Sequence, residues 1–231
     1  MESKKVKAID RMAPRVSSSV SNEERRQRST SLILDAAERL FVESGYAATS
    51  VERIAAEAGL TKGAIYFYYS NKEGLLDALI ARSEESAFTP PLEILAERGR
   101  PALDRIIQYF NYHGASIANA RSYLVPVTVL LQLDAIPSAA RERATALFAK
   151  VQTRIADVIA EGQAAGEVAR VVRPREAAAL IQALIEGMLL QWLRRAPGFD
   201  GNEFLRTGRR ALLAGLRLNS HDGADASTIG R

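Results

Sequence analysis

Apolar residues recur along this chain at the three- and four-residue spacing of α-helices, and no stretch alternates long enough to read as a half-buried strand. Val51, Ile54, Ala55 and Ala58 fall at i, i+3, i+4 and i+7 and make one stripe. Thr49 and Glu52 match a capping box ahead of it, and Gly59 suits the left-handed turn that ends a helix. Leu60 is expected to plug that turn into the core. Thr61 then caps a short helix from about Lys62 to Tyr69, with Ile65 and Tyr69 facing inward. Ser70 or Asn71 caps the next helix, Glu73 completing a second box if Ser70 is the cap, and Leu75, Leu76, Leu79 and Ile80 form its stripe. Thr89-Pro90-Pro91 predicts a break. Further helices are predicted over about 101–120 (Leu103, Ile106, Ile107 and Phe110 on one face), 123–134 with Pro126 in the first turn, 138–165, 174–195 and 200–218. Pro137-Ser138 opens the third of these and Pro174 the fourth, while Gly166 and Pro197-Gly198 stop them. The pattern predicts an all-α chain without internal repeats.

Ser50 to Tyr69 has the form of a helix-turn-helix, one helix to brace and one to lie in a major groove. Lys62 and Gly63 sit in the first turn of the second helix, where free amides and the positive dipole end favour phosphate. Gly63 and Ala64 are small enough for close backbone approach to DNA. Tyr66 and Tyr68 carry hydroxyls for phosphates, Phe67 suits a thymine methyl, and Lys72 opens the next helix where a phosphate contact is expected. The competing reading is an ordinary pair of core helices with three packed aromatics. Capping, turn glycine, small residues and flanking helices together favour DNA binding.

The segment Gly59-Leu60-Thr61-Lys62-Gly63-Ala64-Ile65-Tyr66-Phe67-Tyr68-Tyr69, with Asn71-Lys72-Glu73 and Leu75-Leu76, closely resembles the TetR/AcrR family of bacterial transcriptional regulators. The upstream run Ile33-Leu34-Asp35-Ala36-Ala37-Glu38-Arg39-Leu40-Phe41, then Gly45-Tyr46 and Thr49-Ser50-Val51, resembles that family's first helix and turn. The likeness spans roughly residues 27 to 87. It implies an N-terminal three-helix helix-turn-helix DNA-binding domain over 27–87 and a helical C-terminal ligand-binding and dimerisation domain over 88–218. Residues 1–26 are expected to be a basic, disordered arm, and 219–231 a disordered tail. By this resemblance Thr61, Lys62, Gly63 and Tyr66 match the commonest DNA-contacting residues, and Lys72 matches the usual phosphate-binding lysine. Phe67 and Tyr68 stand where many members have His, Tyr or Trp, which leaves the base preference open. Arg28, Ser50, Val51, Glu52 and Ala64 complete the expected DNA face.

Residues 1–28 hold eight Lys/Arg and four acids, and the whole chain 31 and 27, so all the net charge of +4 lies ahead of or at the start of the first helix. Arg25, Arg26 and Arg28 are placed to approach the DNA backbone, and the arm before them either follows DNA or is a solvated tail. The broad apolar surface of residues 177–192 and the face of the last helix, including Leu180, Ile181, Leu184, Met188 and Leu212, serve core packing and, by resemblance, a two-fold dimer interface. The middle helices are then the sensor for a small-molecule effector. Tyr109, Phe110, Tyr112, His113, Tyr123, Leu131, Phe148 and Trp192 are its candidate lining, each also fitting a plain core role.

The chain has no cysteine and no run approaching a membrane span or signal segment, so a cytoplasmic protein without membrane contact is expected. No metal-spaced cluster, glycine-rich phosphate loop or catalytic triad signature stands out; neither metal, cofactor nor enzyme activity is expected. A non-specific architectural DNA-binding protein is the remaining alternative, and the large C-terminal half argues against it. The expectation is a homodimeric repressor, released from a palindromic double-stranded operator by an effector.

Overall fold

The computed structural model describes residues 21–115, 120–132, 138–195 and 197–217, and every regular element among them is helical. Residues 1–20, Pro137 at a predicted helix start, and the tail lie outside those residues. α1 (Asn22–Ser44) opens on a complete capping box: the Glu24 amide donates to the Ser21 hydroxyl and the Ser21 amide to the Glu24 carboxylate. It buries Ile33, Ala36, Ala37, Leu40 and Phe41 and ends at Gly45, φ +83°.

The box expected at Thr49 and Glu52 is not formed. The Thr49 side chain is buried, and its hydroxyl donates to the Leu40 and Gly45 carbonyls at 3.2 and 2.8 Å. It thereby closes carbonyls at the open end of α1. Ser50 caps α2 (Val51–Glu57) instead, accepting from the Arg53 amide at 3.1 Å. Gly59 turns the chain at φ +66° and the Leu60 amide donates back to the Ala55 carbonyl at 2.9 Å, with the Leu60 side chain packed on the core as expected. α3 (Lys62–Tyr68) follows, then α4 (Lys72–Ser83), whose cap is Asn71, accepting from Gly74 at 2.7 Å.

Thr89-Pro90-Pro91 does not break the helical course. After α4 the backbone widens into a π-helical turn, Glu84–Phe88, in which the Thr89 amide donates to the Glu84 carbonyl, and α5 (Thr89–Ala96) continues with the prolines in its first turn. Pro90 offers no amide to the Ser86 carbonyl, and the Tyr112 hydroxyl donates to that carbonyl at 3.2 Å. α6 (Ala102–Ala115), α7 (Ala120–Leu131), α8 (Ser138–Ala164), α9 (Pro174–Arg194) and α10 (Gly201–Leu216) complete the chain. α7 begins earlier than predicted, which places Pro126 in the helix interior rather than its first turn.

The buried side chains form two clusters. The first joins α1–α4 with Val125 and Val129 of α7 and Ala140 and Ala144 of α8. The second fills the space among α5–α10 and includes Tyr123 near the start of α7, so α7 belongs to both. Gln132, just past α7, accepts the Tyr46 amide at 2.9 Å, and a Cβ at Gly45 would meet the Gln132 amide nitrogen at 2.9 Å. Ser122 donates to Glu38 at 3.1 Å, while Arg82 of α4 binds both Glu38 and Asp35. The Gln132 and Ser122 contacts seat the N-terminal head on the body, and those of Arg82 tie α4 to α1 within the head.

Candidate nucleic-acid interface and effector cavity

The head presents α3 outward because only one residue of α3 is fully driven inward. Ile65 is completely buried, Tyr68 and the following Tyr69 pack partly against the head core, and Tyr66 and Phe67 project at 44% and 81% exposure. Exposing a phenylalanine to this degree forfeits much of its transfer free energy, about 1.5–3 kcal/mol for full burial, and its edge-on contact with Tyr68, 5.0 Å between centroids, recovers only part of it. Thr61 caps α3 by accepting from the Ala64 amide at 3.2 Å, leaving the first-turn donors at the head's surface. A Cβ at Gly63 would meet only the Thr61 hydroxyl, at 3.8 Å. The fold itself does not require glycine there.

The lysines divide. Lys62 is exposed and ion-paired with Glu52 across the α2–α3 corner, which lowers the Glu52 carboxyl and raises Lys62. Lys72 turns inward: its Nζ donates to the Tyr46 carbonyl at 2.5 Å and lies 4.0 Å from that ring's centroid. Partial burial pushes its pKa below the usual lysine value. Its ammonium is thus engaged in holding the α1–α2 turn against α4. Arg25, Arg26 and Arg28 are exposed on the first turns of α1, Ser50 and Glu52 are exposed on α2, and Val51 is buried in the head core.

In the body, α6, α9 and α10 border a partly open cavity whose space, about 360 Å³, includes open solvent; it is lined by Phe110, His113, Gly114, Ile185, Met188, Leu189, Trp192, Phe204 and Leu205. Three of the expected residues, Phe110, His113 and Trp192, line it. Tyr109, Tyr112 and Tyr123 instead pack edge-on around His113, at 4.8, 5.5 and 5.2 Å between ring centroids. Phe148 packs on Phe88 and Tyr123. Leu131 is 78% exposed at the end of α7 and takes no part. Burial pushes His113 down to about 4, so the imidazole is neutral at pH 7. The walls from α10 and Gly114 were not expected: their register against α6 is a tertiary fact without a sequence signal.

The expected interface residues also divide. Ile181, Met188 and Leu212 are buried inside the chain, Met188 in the cavity wall. Leu184 is half-buried and Leu180 is 71% exposed. Ala179, Ala183, Gly187 and Leu190 are exposed with Leu180 on α9, and Ala211, Ala214 and Gly215 on α10.

A short helix displayed from a packed head, capped by Thr61 and bearing exposed aromatics, has the form of the second helix of a helix-turn-helix. Residues 33–79 match the family described as "Bacterial regulatory proteins, tetR family", and residues 135–217 match "BetI-type transcriptional repressor, C-terminal". The chain belongs to the TetR family and is a DNA-binding transcriptional regulator. The MbdR regulator from Azoarcus sp. CIB is similar in structure, with a TM-score of 0.74 and 30% identity, over 81% of this chain and 98% of that one. FadR from Bacillus subtilis, crystallised in complex with stearoyl-CoA, shares the fold at a TM-score of 0.62 and 22% identity, over 81% and 99%. The uncharacterised regulator YuxN of Bacillus subtilis is 39% identical over 70 residues, 30% of this chain but only 24% of that protein.

Proposed function

We propose that the chain is a homodimeric repressor that occupies a palindromic operator and is released by a small molecule bound in the α6–α9–α10 cavity. The observation that carries the reading is the pairing of an outward α3, with Phe67 exposed, and a partly open cavity in the body of the same chain. Thr61, Lys62, Gly63, Ala64, Tyr66, Phe67 and Tyr68 form the reading surface, Ser50 and Glu52 flank it, and Arg28 approaches from α1. Lys72 acts through the turn it holds. The α9 helix is apolar around most of its circumference, and its outer stripe of Ala179, Leu180, Ala183, Gly187 and Leu190 is open in the single chain. Small residues there and on α10 allow close crossing of a second copy. Two heads related by a two-fold axis then read half-sites about 34–36 Å apart. FadR's complex with stearoyl-CoA supports an effector role for the body, and binding rather than catalysis, in the bacterial cytoplasm, accounts for every site described.

Selection of DNA fragments bound by the purified protein, followed by footprinting, tests this. The expected result is one discrete palindrome; uniform coverage favours an architectural role, and no binding removes the reading. For the dimer, Leu180→Glu should yield monomers by light scattering with operator affinity reduced at least about tenfold. A dimeric Leu180→Glu protein would place the interface elsewhere.

A further inference from the structure

The cavity wall has an unusual chemical composition. Among the described residues it contains no Lys, Arg, Asp or Glu, and three of its side chains are aromatic, Phe110, Trp192 and Phe204, beside the Met188 thioether. Two polar atoms of the lining, His113 Nε2 and Trp192 Nε1, are buried without a hydrogen-bond partner. Groups in that condition cost about 1–3 kcal/mol each unless something meets them. The indole N–H only donates, and the neutral imidazole keeps one nitrogen as an acceptor. The wall is held in place from outside: a Cβ at Gly208 would meet the Phe110 ring at 2.9 Å and the Met188 sulfur at 3.0 Å, and a Cβ at Gly201 would overlap the Trp192 ring.

We propose that the effector is an uncharged aromatic molecule carrying a hydroxyl. This deepens the effector reading above and rests on it. A hydroxyl both accepts, from the Trp192 N–H, and donates, to His113, whereas its ring fits the aromatic and thioether walls. A carboxylate only accepts and finds no cation among the lining residues: Arg195 stacks on the Trp192 ring at 4.7 Å from its centroid but donates to the Trp192 carbonyl at 2.8 Å. Glu186, set against Tyr109 and Tyr123, adds like charge. An ammonium only donates, leaving the Trp192 N–H unmet and its own charge without a counterion.

The test exploits the chain's single tryptophan, which lies in the cavity. The full-length protein is titrated by calorimetry with 4-methylphenol, 4-methylbenzoate and 4-methylbenzylamine, three molecules of similar shape and different charge, while Trp192 emission is followed. The expected result is that 4-methylphenol binds at least about tenfold tighter than either ion and changes Trp192 emission. His113→Leu should weaken it about tenfold, one hydrogen bond's worth, and His113→Gln should restore most of the loss. Equal or tighter binding of either ion, binding without a change in Trp192 emission, no binding of 4-methylphenol, or an affinity indifferent to His113→Leu in a protein with a normal thermal melt overturns the proposal. DNA binding is scored separately. Operator binding without phenol binding sinks the ligand class alone, and phenol binding without any operator sinks the regulator reading.

Discussion

Glu52 and Lys62 face each other on the proposed DNA-reading surface, so the lysine expected to meet a phosphate already has a carboxylate partner in the free protein. Binding DNA exchanges one anion for another, which reduces the net gain. Glu52→Gln is expected to raise affinity for DNA of any sequence and to steepen the slope of log affinity against log salt by up to about one. Weaker binding would instead show that Glu52 assists recognition. Phe67→Ala should act differently, lowering affinity for the selected operator about tenfold with little change on random DNA, since an apolar contact reads bases rather than charge. Deeper in the molecule, His113 makes stability depend on pH. Its pKa is about 4 in the folded chain against 6.5 for an unperturbed histidine, so the unfolded state binds more protons between those values. Its contribution is complete above about pH 6.5 and falls by up to about 3 kcal/mol as pH drops to about 4. Among groups set around it, Tyr109 and Tyr123, whose pKa values burial raises, are neutral there, whereas Glu186, whose pKa burial also raises, titrates toward acid. Comparing denaturant midpoints of the wild type and His113→Phe from pH 4 to 7 isolates the histidine: the mutant's curve should be flatter.

At the scale of elements, α7 connects the two functions. Tyr123 near its start stacks on Phe88 at 4.8 Å and touches His113, and Gln132 just beyond its end accepts the Tyr46 amide of the head. Gln132→Ala is expected to leave Trp192 emission on effector binding unchanged, while shrinking the ratio of operator affinities measured with and without effector. An unaltered ratio would mean the coupling runs elsewhere, through Arg82 or Glu38. The sequence foretold the elements well where local chemistry decides them: the turn glycine at 59, the Thr61 cap, the Pro174 start. It failed where one residue competes with its neighbour or a distant group intervenes. Thr49 and Ser50 are equally good caps in isolation, and only the open end of α1 claims Thr49. The prolines at 90 and 91 read as a break because neither the π-helical turn nor the Tyr112 hydroxyl is visible locally. On α9, apolar residues on all sides hid which stripe faces inward, so Met188 and Leu180 looked alike. Lys72 carried the right residue type for a phosphate, and its inward turn depends on Tyr46.

For the whole molecule, the head is not self-contained. Val125, Val129, Ala140 and Ala144 lie in the same buried cluster as the helix-turn-helix, and ion pairs from Arg143 to Asp77 and from Lys150 to Glu84 add to the contact. A fragment of residues 21–87 would expose the surfaces these side chains cover, at about 0.8 kcal/mol per uncovered methylene equivalent. It is expected to show no cooperative thermal melt by circular dichroism; a sharp transition would prove the head independent. This arrangement bears on how such regulators can be recombined. Cutting after α4 and grafting the head onto another sensor discards part of the head's interior, even though the join falls neatly between functions along the chain. A chimera that keeps this reading surface must carry α7 and the first half of α8 with it. The unit that supports α3 is therefore discontinuous along the chain: α1–α4 together with α7 and the first half of α8.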